Sequence, residues 1–278
     1  MQKLLLPSLL LITLIGGVFP AHANDFEAGK AGSGIHILQN DSIQMLSEVL
    51  KITPDLVDVT YVYKNLTDQK RTILIGFPIK SDMGDLETHI TNTIRPRFDP
   101  RITPPSSSRY VKAGWELGSY NGNNVYLREQ VFGPHEVVIV NHRYTPKNGS
   151  GVYGVVTDRW DRVGRTHGDA CSSFTDEELE SQGPEAFEWD FDTWEISNRT
   201  EHLEYILTTG TSWAGPIKKF RLEIGPSTSY VNGDYGVLHC FEGLERTPDG
   251  RYVVEIDDFV PKHNLYLTFF YRTRWEWE

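Results

Sequence analysis

Polar and apolar residues alternate along most of the chain with a period of two. Val57, Val59, Tyr61 and Tyr63 fall at every second position, opposed by Asp58, Thr60 and Lys64, and the spacing returns after "NLTDQ" at Ile73, Ile75 and Phe77. Such a pattern predicts strands with one buried face, and the polar turn between the two runs reads as a β-hairpin connection. "GWELGSYNGNNVYLREQVF" predicts a second hairpin, because the Asn-Gly region from Asn121 to Asn124 supplies the positive φ angles of a tight turn. "HEVVIVNHRYTP" follows as a strand. Further on, "HLEYILTT" puts Leu203, Tyr205 and Leu207 on one face, and "KKFRLEIG" does the same with Phe220, Leu222 and Ile224. "YVVEID" and "NLYLTFFYRTRWEWE" complete the set. In the last of these Tyr271, Thr273, Trp275 and Trp277 share a face, and a segment this regular is expected to pair into a sheet.

Two stretches interrupt the alternation. "RPRFDPRITPPSSSRY" reads as a long exposed loop. Residues 146–195 are rich in Gly, charge and aromatic rings; within them "TDEELESQGP" predicts a short helix, with Thr175 as cap, Glu178 closing a capping box and Gly183-Pro184 ending it. The expected fold is mainly β, an antiparallel β-sandwich with a loop-rich insertion carrying a short helix. Its parts would be an N-terminal β-rich lobe over 24–145, the insertion over 146–195, and a C-terminal β-rich lobe over 196–278 packed with the first.

The opening residues, "MQKLLLPSLLLITLIGGVFPAHAND", read differently. Lys3, an apolar run from Leu4 to Val18 and the small-x-small sequence Ala21-His22-Ala23 form a secretory signal over residues 1–23, cleaved after Ala23. The apolar run is shorter than the ~20 residues a membrane span requires, and it contains Pro7. No later stretch is apolar for long enough, so the mature chain is expected to be soluble, without membrane insertion, and periplasmic or secreted. The 278 residues carry a formal charge of −11, made more negative by loss of Lys3. That balance argues against a nucleic-acid or anionic-membrane partner, both of which need a basic surface. Acidity otherwise serves solubility.

Cys171 and Cys240 are the two cysteines, and in an oxidising compartment an even count most simply pairs them. The bridge would staple the insertion to a β-strand and could contribute about 4 kcal/mol by closing a long loop. A catalytic thiol is the competing reading, since His239 adjoins Cys240. Neighbours on a strand point to opposite faces, so the two would not form a nucleophile and its base.

The order of "IQMLSEVLKITPDLVDVTYVYKN", "IGFPI", "VNHRYTP", "YILTTGTSWAGPIKKFRLEI", "LHCFEGL" and "DFVPKHNLYLTFFYR", behind a signal followed by "ND", resembles the bacterial exported domain-of-unknown-function family 4424. These segments cover most of the mature chain. The resemblance implies a secreted β-rich protein in which the two cysteines match the family's pair, and it implies no activity, cofactor or catalytic residue. The stretch from Pro104 to Ser108 and the acidic-aromatic stretch around residue 190 depart from the family's pattern and leave partner specificity open.

Candidate chemistry is sparse. No phosphate loop, nucleophile elbow, zinc-protease pair or calcium loop is present, and neither a metal nor a cofactor is implied. "GPHEVVIV" begins like a zinc helix with His135 and Glu136, but Ile139 stands where a second His is needed and the run reads as a strand. His89, His142, His167, His202 and His263 lack ligand spacing and read as surface or satisfied core residues. Asn65-Leu66-Thr67 has the form of a glycosylation acceptor and reads as turn chemistry. "PEAFEWDFDTWEIS" offers Glu188, Asp190 and Asp192 as candidate catalytic carboxylates of a glycoside hydrolase. It also offers Trp189 and Trp194 as candidate binding rings.

Trp213, in "TSWAGPIKKFR", is the third candidate ring. Gly210, Gly215 and Pro216 mark a connection between strands there, so Trp213 is expected to pack over a corner, with ligand contact as the alternative. The sequence thus favours non-catalytic binding of a glycan or protein partner over an enzyme. A hydrolase of envelope or host glycans and a structural or assembly role are the alternatives.

Overall fold

The computed structural model describes residues 24–31, 34–78, 87–93, 116–120, 123–146, 149–152, 196–226 and 235–274. Strands dominate these residues and form three sheets. The first contains β1 (Phe26–Ala31), β2 (Gly34–Leu38), β5 (Arg71–Pro78), β7 (Glu116–Tyr120) and β8 (Asn123–Phe132), in the order β2-β1-β5-β8-β7. The second is built from β3 (Ile43–Ile52), β4 (Val57–Asn65), β6 (Glu87–Thr93), β9 (Val137–Tyr144), β12 (Ile217–Ile224), β14 (Glu245–Arg246) and β15 (Tyr252–Phe259). Its seven strands run in the order β14-β15-β12-β3-β4-β9-β6. The third holds β10 (Gly149–Val152), β11 (Ile196–Tyr205), β13 (Tyr235–His239) and β16 (Leu265–Arg274), in the order β10-β11-β16-β13. Pairing is antiparallel except where β12 lies parallel to β3, with Lys219 beside Ser47 and Ile224 beside Ile52.

Alternation explains the burial. Val57, Val59, Tyr61 and Tyr63 are fully or almost fully buried, while Asp58, Thr60 and Lys64 keep partial exposure. One core cluster joins this face to Ile73, Ile75 and Phe77 of the first sheet and to Leu203, Tyr205, Leu267 and Phe269 of the third. The result is a sandwich in which the seven-stranded sheet packs against both of the others. Each fully buried aliphatic or Phe side chain contributes about 1.5–3 kcal/mol toward offsetting the entropy of ordering the chain.

One expectation is corrected. β4 and β5 do not form a hairpin: β4 pairs with β3 and β9, whereas β5 pairs with β1 and β8. The turn "NLTDQ" instead carries the chain from one layer to the facing one. Both strands bury one face in the same core, and alternation reports the buried face without naming the neighbour. The second expected hairpin is present, with Tyr120 paired to Asn123. The expected helix at Thr175–Gly183 and the stretch from Pro104 to Ser108 lie outside the described residues.

Two local devices position the interior described next. In β3 the register against β4 shifts between Met45 and Ser47, so Leu46 is an extra residue. Without it, the face that begins with Ile43 and Met45 would continue through Ser47, Val49 and Lys51. The bulge turns Glu48, Leu50 and Ile52 inward instead, and all three are fully buried. In the first sheet Phe26 pairs with Gly76, and a Cβ on Gly76 would lie 2.6 Å from the Phe26 ring. The missing side chain is what lets Phe26 lie flat across β5 and fixes the start of β1.

Candidate functional site

The residues just before β1 anchor a hydrogen-bonded polar cluster in the described interior. Asn24 and Asp25 are both fully buried. One carboxylate oxygen of Asp25 lies 3.1 Å from His142 Nε2, and the other accepts a 3.1 Å bond from the Tyr63 hydroxyl. The Asp25 carbonyl accepts the indole N–H of Trp213, also at 3.1 Å. Asn24 is held similarly: its carbonyl accepts from Thr209 Oγ1 at 3.1 Å, and its Nδ2 donates to the Leu207 carbonyl and to Glu48 Oε2, each at 3.4 Å. Thr209 belongs to a short 3-10 helix, Thr208–Ser212, that connects β11 to the Trp213 corner.

Strand register explains why these groups meet. Val59 pairs with His142 across β4 and β9, so His142 shares the inward face of Val59, Tyr61 and Tyr63. Tyr61 lies 5.8 Å edge-on from the His142 ring, and Phe77 of the facing sheet covers that ring at 4.4 Å. Tyr63 packs on Trp213 at 4.8 Å. Tyr61 reaches across the core to Tyr205 of the third sheet, with the two hydroxyls 2.9 Å apart.

Burial governs the electrostatics. It pushes the Glu48 carboxyl up to about 8, and the negative charge of Asp25 adds to the shift while Asn24 and Tyr205 oppose it. The phenols of Tyr61, Tyr63 and Tyr205 are held well above their ordinary range, again chiefly by burial. Burial lowers the Arg128 guanidinium, against the attraction of Asp25 and Tyr63. Glu48 Oε1 and Asn24 Oδ1 have no hydrogen-bond partner.

Two carboxyl groups, an imidazole and three phenols could in principle move a proton. Here they are sealed: Asp25, Glu48, Tyr61, Tyr63, His142 and Tyr205 have no exposed surface, and the donors of Tyr63 and Trp213 are committed to Asp25. A charge-assisted hydrogen bond is worth roughly 1.5–3 kcal/mol, and removing one partner of a buried pair costs about 3–5 kcal/mol. The arrangement locks Asn24 and Asp25 into the sandwich. Among the described residues no group of three or more His, Cys, Asp or Glu side chains is placed to hold a metal ion.

The candidates read from the sequence are not gathered there, with one exception. Trp213 is 1% exposed, and its ring and N–H are both used in the interior, which leaves no face for a ligand. The corner around it is stitched to the β2–β3 connection by Asn40 N–H to Ser212 carbonyl at 2.7 Å and Ala214 N–H to Ile43 carbonyl at 2.9 Å. Gly215 turns the chain there at φ 71°. Glu188, Trp189, Asp190, Asp192, Trp194 and Cys171 lie outside the described residues, while Cys240 is described and half-buried.

Sequence reasoning missed Asn24, Asp25 and Glu48. The first two were visible only as the "ND" that follows the expected cleavage point, and the inward turn of Glu48 depends on a bulge that periodicity does not reveal. His142, read as one of the scattered histidines, is a satisfied core residue. The outer face of β12 and β15 carries exposed ion pairs, among them Lys219 with Asp257 and Arg221 with Glu255. Pairs of this kind contribute little to stability and keep the face solvated.

The sequence profile of a family described as Domain of unknown function (DUF4424) matches residues 23–103 and 106–267. No curated protein matches the chain by sequence. One similar solved structure is a protein of Legionella pneumophila subsp. pneumophila str. Philadelphia 1, provisionally called a nutrient binding protein. The likeness covers 89% of this chain and 70% of that one, at 15% identity and a TM-score of 0.46. A point mutant of a two-domain M1 zinc metallopeptidase bound to L-arginine is similar over 84% of this chain and 43% of its own, at 10% identity and a TM-score of 0.28. Both likenesses are too low to carry a function across.

Proposed function

The chain belongs to the DUF4424 family, and from that footing we propose that it is an exported, non-catalytic protein that works by binding, at the cell envelope or outside the cell. The observation that carries this reading is the sealed position of Asn24 and Asp25. They are the first two residues expected after signal cleavage, and they are tied to β3, β4, β9 and the Trp213 corner. A fold that closes on these residues supports a mature unit beginning at Asn24. The same closure supports a non-catalytic reading, because the interior acid-base groups are committed to the fold.

In this reading the ligand is a glycan or a protein, met by rings of the 146–195 insertion such as Trp189 and Trp194, which the Cys171–Cys240 bridge ties to the sandwich. No cysteine among the described residues is free, which supports the bridge. Alkylation of the native protein should leave both thiols blocked until a reductant is added, as read by intact mass; two freely alkylated cysteines would exclude the bridge. The function is tested by applying the mature protein to a glycan array and to insoluble peptidoglycan, with product analysis on the same polysaccharides. Retention that weakens in Trp189→Ala or Trp194→Ala, without product, is expected. Turnover that disappears in Asp190→Asn would replace binding with hydrolysis.

A further inference from the structure

Signal removal would leave Asn24 with a free α-amine, and the surroundings of that residue are short of donors. Glu48 Oε1 and Asn24 Oδ1 are buried and unbonded, while the Glu48 carboxyl is met only by neutral donors, a long 3.4 Å bond from Asn24 to Oε2 and the Tyr205 hydroxyl. The carboxylate oxygens of Asp25 already face His142 and Tyr63. A peptide-linked Asn24 brings one backbone N–H to this region. A chain that begins there brings an ammonium group with three donors and a positive charge.

We propose that the α-ammonium of Asn24 is the missing partner of Glu48, an ion pair formed only after signal cleavage, so that the sandwich is completed by processing. The inference rests on the reading that the mature chain begins at Asn24. The groups facing the site from the surrounding elements are Asp25 beside it, Tyr61 and Tyr63 of β4, His142 of β9 and Tyr205 of β11. Arg128 of β8 acts on Asp25 and Tyr63. Asp25 strengthens the preference for a cation next to Glu48, and the phenols supply none. In an uncleaved chain Glu48 avoids lying buried as a lone carboxylate by keeping its proton, in keeping with its upward shift.

Intact mass of the exported protein first fixes its opening residue. A chain that begins elsewhere defeats both the processing assignment and the ion pair. In a chain that begins at Asn24, the 15N-labelled α-amine is titrated by NMR. It should hold its proton at least about tenfold more tightly than an ordinary α-amine, whose midpoint is about 8, and Glu48→Gln should return it toward that value. An ordinary midpoint that Glu48→Gln does not move would overturn the ion pair while leaving processing at Ala23 intact. Should Glu48→Gln not fold, the chain that keeps Ala23 supplies the comparison. Its amine is displaced by one residue and should titrate normally; an equally raised midpoint there would also overturn the pairing.

Discussion

Single side chains settle several roles that a motif leaves ambiguous. Asn65 has the form of a glycosylation acceptor, yet it is fully buried and its amide is spent on the turn. Nδ2 donates to the Gln69 and Gly133 carbonyls at 2.8 and 2.7 Å, and Oδ1 accepts from Thr67 N–H and Oγ1 at 3.0 and 2.8 Å. Asn65→Ala should lower stability by about 2 kcal/mol, since each internal bond is worth roughly 1 kcal/mol and the orphaned carbonyls cost more. Urea unfolding measures it. Trp213→Ala should cost about 3–5 kcal/mol through cavity formation. Trp213→Phe should cost less, because the ring contact with Tyr63 survives and only the bond to Asp25 is lost. Such gradation would be absent if Trp213 served a ligand.

Elements carry information that no single residue does. The bulge at Leu46 turns Glu48 to the interior and the flat packing of Phe26 on Gly76 fixes the start of β1 beside it, and Gly76→Ala tests the second. A methyl group there collides with the Phe26 ring, so about 1–3 kcal/mol of destabilisation is expected by thermal unfolding. β13 adds a pH dependence. His239 at its end is lowered to about 4, chiefly by burial, and its Nδ1 accepts the Phe241 N–H at 3.4 Å. The unfolded chain takes up that proton near the ordinary 6.5 while the fold resists it until about 4. The contribution of His239 should therefore be present above about 6.5 and be lost as the pH drops toward 4, opposite in sign to that of Glu48, whose raised carboxyl favours the fold at low pH; the difference between wild type and His239→Gln isolates it. Strand positions and buried faces were legible in the sequence because alternation encodes them directly. Tyr61, Tyr205 and Phe220 were placed correctly, whereas Glu48 was not, because one inserted residue reverses the parity of everything after it.

Across the whole molecule, chain order and sheet order diverge. β12 lies between β15 and β3, so the C-terminal third of the chain completes a sheet begun at Ile43. A parallel pair joining residues so far apart leaves no local signal, and the β4–β5 crossing between layers leaves none either, which is why pairing was not readable. Amide exchange should show β3, β4 and β12 opening together, slowest of all and only with global unfolding, while the edge strands β2 and β14 exchange faster. Independent opening of β12 would contradict the shared sheet. The central claim is that the Asp25 cluster is a closed structural lock and that function resides in binding elsewhere. Its most direct test compares wild type with Asp25→Asn for unfolding and for retention on peptidoglycan and glycans, under conditions where both are folded. A loss of about 3 kcal/mol with retention unchanged is predicted, since one partner of a buried pair is neutralised. A variant as stable as wild type that no longer binds, or a wild type that binds none of these ligands, would contradict the account.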